Sequence, residues 1–282
     1  MTALTDLSAL INRATGGNSG TPDNLFFHKV ARQAGAAATA PIAGRIASLW
    51  MYDGQPGAGV TPTTAALCDN TTAGGLLQAD PGGGRQKFLY SAWACGLVAG
   101  TLVMYDRMLH IGGLSGTTTT AQNVQTTTPS PALTRYTDGL GNMAWAEIYT
   151  IIGTTGTTIK MSYVDQADNT QDSPLVVFGG TAFREVSRAI MLPVAAGDYG
   201  IKAVKTVTVT GTTSTAGNFG VTIAHPLAYI GIGMPGGAGW RDFSTGLPGI
   251  PEVKTDACLA FLWFPNTTTA PEVFGGLSML ES

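Results

Sequence analysis

Across residues 157–164, TTIKMSYV, the apolar side chains Ile159, Met161 and Tyr163 alternate with Thr158, Lys160 and Ser162. A period of two is the signature of a strand with one buried and one wet face. The longer stretch 145–169 reads as two such strands, and the Gly/Thr run 153–156 predicts a hairpin turn between them. Residues 198–213, DYGIKAVKTVTVTGTT, form another β-branched strand. Its alternation slips between Val204 and Val207, which predicts a bulge. In 218–233 the alternation runs through Phe219, Val221 and Ile223 until Pro226, where the ladder is expected to break. CLAFLWF, 258–264, is apolar on both faces, as a central or inter-sheet strand should be.

The first half carries the same texture less cleanly. RIASLWMYDG (45–54) is dense in apolar side chains and stops at the turn pair Asp53-Gly54. KFLYSAWAC (87–95) and GTLVMYDRMLHI (100–111) are further strands, and the Thr/Ser/Pro-rich run 116–132 reads as a linker or extended crossing segment. Many short strands at this spacing predict an all-β fold, an antiparallel sandwich or jelly-roll-like body. The phrase GGLS recurs at 112–115 and 275–278, the trace that two related β halves would leave.

The first forty-odd residues break the pattern. Thr5 or Asp6 can cap a helix with Leu7, Leu10 and Ile11 on one face, and a second helix is predicted from Leu25, Phe26, Val30 and Ala34. TGGNSGTP joins them. The expected organisation is a helical arm at 1–43, a first β region at 44–132 and a second at 133–282. Leu25, Phe26 and Phe27, on a helix too short to stand alone in water, are the candidate interaction residues of that arm.

Composition sharpens this picture. Only 12% of the 282 residues are charged, while 44% are hydrophobic and 38 are glycine. The usual charged fraction is about 25%, so part of the surface is expected to lie against neighbours. A net charge of −3 without any basic run offers nucleic acid no electrostatic footprint. No window approaches the ~20 apolar residues of a membrane-spanning helix. The start of the chain lacks a basic segment followed by a long apolar one, so no secretory signal is expected.

Candidate chemistry is sparse. His28, His110 and His225 stand apart from one another and from other metal-ligand types. Cys68, Cys95 and Cys258 match no zinc spacing and are expected to be unpaired thiols. DPGGGRQK departs from the phosphate-loop spacing, and GGLSG has its serine one place away from a nucleophile elbow. The loop DQADNTQD sets Asp165, Asp168, Asn169 and Asp172 close together, a set that could ligate a cation or simply make a solvated turn. Glu147 with Asp138 could be imagined as a glycosidase pair, and Trp145, Tyr149 and Tyr163 as a carbohydrate platform, although aromatic residues at strand spacing are more often core. No catalytic residue, metal ligand or cofactor is assigned.

The phrases WAEIYTIIGTTGTTIKMSYVDQADN, PVAAGDYGIKAVKTVTVTGTTSTAGNFGVTI and ACLAFLWFPNTTTAPEVFGGLSML resemble a class of poorly characterised virion proteins of tailed bacteriophages. SLWMYDGQPGAG and MYDRMLHIGGLSGTTTTAQ are similar to the same class. The likeness covers most of the chain after residue 44 and includes no motif with an assigned chemical role. It implies a non-enzymatic structural subunit of the virion, assembled in the bacterial cytoplasm, most of all a head decoration or cement protein. Its partners would be further copies of itself, a trimer by analogy, and the major capsid protein or other virion proteins, with no nucleic acid or membrane. A tail, baseplate or adhesion subunit is the alternative, and a carbohydrate-active enzyme a more distant one.

Overall fold

The computed structural model describes Ser8, Ile11 and residues 23–33, 41–125, 131–243, 249–268 and 272–281. The first strands are β1 (Asp23–Gln33), β2 (Ala47–Ser48), β3 (Tyr52–Gln55), β4 (Ala66–Leu67), β5 (Lys87–Gly96) and β6 (Gly100–Leu114). There follow β7 (Gln122–Asn123), β8 (Met143–Thr150), β9 (Gly156–Asp165), β10 (Thr170–Asp172), β11 (Val176–Gly179) and β12 (Ala189–Leu192). The chain continues through β13 (Ile201–Val209), β14 (Asn218–Ile232), β15 (Ala238–Asp242), β16 (Glu252–Val253), β17 (Leu259–Pro265) and β18 (Val273–Glu281). The fold is all-β, and every strand pairing is antiparallel.

Three sheets result. Sheet A has six strands in the order β15-β5-β18-β1-β3, with β16 also on β5. Sheet B has seven, β12-β8-β14-β6-β17-β2, with β4 also on β6. Sheet C has five, β10-β9-β13-β7, with β11 also on β9. β6 and β14, 15 residues each, form the spine of sheet B. At about 3.3 Å per residue such a strand reaches about 50 Å, long enough to serve two separate cores.

The cores follow that length. At one end of the spine, Leu102, Met104, Ile230, Phe261 and Trp263 of sheet B pack against Phe27, Leu89, Ala92, Leu277 and Met279 of sheet A. At the other end, Leu109, Ile148, Val221 and Ile223 pack against Ile159, Met161, Tyr163 and Val207 of sheet C. A third cluster gathers Val103, Tyr105, Trp145 and Leu262 of sheet B with Trp50, Cys68 and Cys258. Sheet B is therefore shared by two sandwich-like packings.

Several sequence expectations hold. Ile159, Met161 and Tyr163 are buried while Lys160 and Ser162 face outward. The β13–β9 register shifts between Val204 and Thr206, where the alternation slips. β17 is buried on both faces for most of its length, between β6 and β2.

Others are corrected. The helix predicted over Leu25, Phe26 and Val30 is strand β1, hydrogen-bonded between β18 and β3. A helical reading of Leu25, Phe26 and Val30 overlooked the period of two: Leu25, Phe27 and Lys29 turn inward, Phe26 and His28 outward. In the earlier helix, Ser8 and Ile11 are helical and the other residues lie outside those described. The turn at 153–156 closes no hairpin, because β8 belongs to sheet B and β9 to sheet C. It is a crossing between layers, and a Cβ on Gly153 would stand 1.5 Å from the Thr213 carbonyl oxygen. Pro226 does not end its strand. The β8 ladder has already finished at the Ala224–Met143 pair, and β14 continues along β6 with a register shift between Pro226 and Ala228.

Candidate functional site

β1 presents its two phenylalanines to opposite sides. Phe27 is fully buried, 4.5 Å from Phe261 between ring centroids, and rests over Gly275, where any Cβ would meet its ring at 2.5 Å. It ties sheet A to sheet B. Leu25 is half-buried against the same core, and Phe26 is 55% exposed on the outer face. The three candidate residues of the arm thus divide into two core contacts and one surface contact.

Phe26 does not stand alone outside. The sheet register runs Phe26–Gly276–Trp93–Trp240 in one row across β1, β18, β5 and β15. The next row runs His28–Phe274–Cys95–Ala238. Trp240 is 65% exposed and Phe274 37%. Trp93 meets Phe274 edge-on at 6.1 Å, and a Cβ on Gly276 would stand 2.6 Å from its Nε1. The missing side chain lets the indole lie across the neighbouring strand. Phe26, Trp240 and Phe274 with the partly buried Trp93 offer on the order of 400 Å² of apolar surface, within the range of the largest patch on an ordinary monomer, which is often functional. The adjoining row, Asn24–Ser278–Ser91–Asp242, carries one acidic residue among neutral ones.

Trp93, Trp240 and Phe274 were not singled out in the sequence. The available signal was alternation: in β5, Ala92 and Ala94 turn inward and leave Trp93 outside. In β15 an exposed Trp240 follows Gly239, whose Cβ would stand 2.2 Å from the Gly231 carbonyl oxygen.

A second constellation lies inside. Arg107, wholly buried, donates from Nη2 to Glu147 Oε2 at 2.8 Å and to the Tyr149 hydroxyl at 3.0 Å, and from Nε to His110 Nδ1 at 3.1 Å. Thr222 donates to the same Glu147 oxygen at 2.7 Å, and the Trp50 ring lies 4.1 Å from the guanidinium carbon. Burial pushes the Glu147 carboxyl up, but Arg107 and the hydroxyl donors outweigh it and hold it below the usual carboxylate range. Beside it, Arg135 grips Asp106 with two hydrogen bonds of 2.7 and 2.9 Å and caps the Cys68 carbonyl at 2.8 Å. These residue types can perform acid–base chemistry, yet Arg107, Glu147 and Asp106 have no exposed surface for a substrate to touch. Their geometry pins β6, β8 and β14 at the point where one core gives way to the other.

The remaining sequence candidates fall in separate places. His28 meets Glu272 at 3.2 Å, and His225 stacks on Tyr136 at 3.8 Å while bonding Asn142. Asp138 is remote from Glu147 in partner and environment: it caps its own turn by accepting from the Leu140 amide. Trp145, Tyr149 and Tyr163 are buried and form no platform. In the DQADNTQD loop, Asp165 accepts from the amides of Ala167 and Asn169, while Asp168 pairs with Lys202 and Asp172 with Lys160. Those carboxylates serve as turn caps and surface ion pairs. No helix among the described residues is long and apolar enough to cross a membrane.

No protein-family model matches the chain, and no curated protein matches it. Among solved structures, a comparison with VP1 of Trichodysplasia spinulosa-associated polyomavirus in complex with 3'-sialyllactose spans 94% of this chain and 96% of that one, at 10% identity. Its TM-score of 0.11 carries no argument about fold or function.

Proposed function

We propose that this chain is a non-enzymatic structural protein of a tailed-phage virion, a decoration or cement subunit that binds the assembled head through the outer face of sheet A. The observation that carries the proposal is the aromatic row Phe26–Gly276–Trp93–Trp240, with Phe274 beside it, on a weakly charged sheet face. Aromatic side chains exposed at the centre of a patch with neutral neighbours are the anchors of protein–protein contacts. The sparse charge of the whole chain and the likeness to phage virion proteins point the same way. Binding the assembled lattice and not the free capsid subunit would stabilise the head by linkage, and many copies would compensate for modest single contacts.

The occupant of the face is a neighbouring virion protein. Self-association into a trimer remains part of the proposal, and a tail or baseplate position is its alternative. The test is rebinding of purified protein to heads that lack it. Trp240→Ser and Phe26→Ser should each weaken binding about tenfold or more, equivalent to ~1.4 kcal/mol, while leaving the unfolding midpoint nearly unchanged. Undiminished binding by the double variant would overturn the assignment of this face.

A further inference from the structure

Cys68 and Cys258 are far apart in sequence but follow one another along a single edge of β6. β4 pairs Ala66 with His110 and Leu67 with Leu109, and the Cys68 amide donates to the Met108 carbonyl at 3.0 Å. β17 pairs Leu259 with Asp106, and the Arg107 amide donates to the Cys258 carbonyl at 2.8 Å. The two cysteines therefore oppose consecutive residues, Met108 and Arg107, where β4 leaves the edge and β17 takes it over. Both side chains are buried in the same cluster, and each thiol lies within the electrostatic reach of the other. A Cβ on Gly75 would stand 2.7 Å from Cys258 Sγ, so a bare glycine closes that side of the sulfur. Both are free thiols here.

We propose that Cys68 and Cys258 form an oxidative modification site, closing to an intramolecular disulfide when the protein meets a peroxide. The surroundings divide the roles. His110 Nδ1 accepts from Arg107 Nε, which puts the hydrogen of the neutral imidazole on Nε2, and the ring lies within reach of Cys68. Burial pushes the Cys68 thiol up, but Cys258, His110 and Arg107 outweigh it and hold it well below the ordinary thiol value. The neighbouring Cys68 and burial hold the Cys258 thiol well above it. In this scheme Cys68, on the β4 segment that pairs with His110, is the attacking sulfur and Cys258 the resolving one.

The Cys68 sulfur attacks one peroxide oxygen, the O–O bond breaks, and hydroxide leaves as water with the Cys68 proton. This leaves Cys68 as a sulfenic acid. The Cys258 sulfur then attacks the Cys68 sulfur, the S–O bond breaks, and the hydroxyl leaves as water with the Cys258 proton. One hydrogen peroxide is reduced to two waters as two thiols become one disulfide. Both side chains are fully buried, so peroxide, small as it is, must enter through local opening of the fold, and a bulky disulfide reagent would not. The bond would tie the strand entering at Cys258 to the segment that leaves at Cys68, and Cys95, on the outer face of sheet A, takes no part.

The experiment treats the full-length protein with hydrogen peroxide, quenches it, and counts thiols after denaturation, with peptide mapping under non-reducing conditions. Thiol count should fall from three to one, with Cys68 and Cys258 peptides linked and the linkage reversed by dithiothreitol. Cys95→Ser should fall from two to none, while Cys68→Ser and Cys258→Ser should yield no intramolecular disulfide. Persistence of all three thiols, over-oxidation of Cys68 without linkage, or a bond that includes Cys95 would each overturn the proposal. The wild-type map decides the matter even if a serine variant fails to fold.

Discussion

Phe26 and Phe27 are adjacent in sequence and opposite in consequence. Phe27 fills the interface between sheets A and B, so Phe27→Ala leaves a cavity and should cost about 3–5 kcal/mol in a denaturant titration. Phe26→Ala removes a half-exposed ring and should shift stability by less than about 0.5 kcal/mol. Lys29, one strand pitch beyond Phe27, is buried, with Nζ donating to the carbonyls of Tyr52, Pro56 and Gly57. Burial lowers its pKa to about 8, against a small opposing pull from Asp53. Between that value and the unfolded lysine range near 10.4, the unfolded state binds more protons, so this group makes stability rise with pH. The rise should amount to on the order of 2 kcal/mol from pH 8 to pH 10. Lys29→Met should flatten it, and an equal slope in both proteins would contradict the burial argument.

At the scale of elements, legibility followed locality. Strands β5, β6, β9, β13 and β17 could be read from alternation or double-faced apolarity, because those patterns are written within one segment. β1 reads locally as helix because its apolar positions, Leu25, Phe26 and Val30, also satisfy helical spacing. What decides the matter is the β18 edge, supplied by residues nearly 250 positions later in the chain. The crossing at 153–156 is ambiguous for a related reason: a Gly/Thr turn looks the same whether it returns to the same sheet or passes to another. The aromatic row was invisible as a site, since it exists only when β1, β18, β5 and β15 come into register. β1 also changes what truncation should do. Deleting residues 1–40 removes a strand held between β18 and β3, so the truncated chain should lose cooperative unfolding of sheet A, seen as accelerated amide exchange in β18 and β3. Native-like protection in both strands would show that sheet A does not need β1.

For the whole molecule, two cores sharing sheet B meet at a buried polar junction. The Arg107–Glu147 pair joins β6 to β8, so Glu147→Gln should destabilise by roughly 3 kcal/mol because it strands a buried guanidinium, measurable as a drop in the denaturant midpoint. Such a body is packed where its cores are and carries aromatic side chains where sheet A faces outward, which suits the proposed role in assembly. A cryo-EM reconstruction of purified phage particles tests that reading most directly. The expected result is this fold bound to the head lattice, with Phe26, Trp93, Trp240 and Phe274 covered by a neighbouring virion protein. Absence of the protein from the particles, or its presence with that face open to solvent, would contradict it.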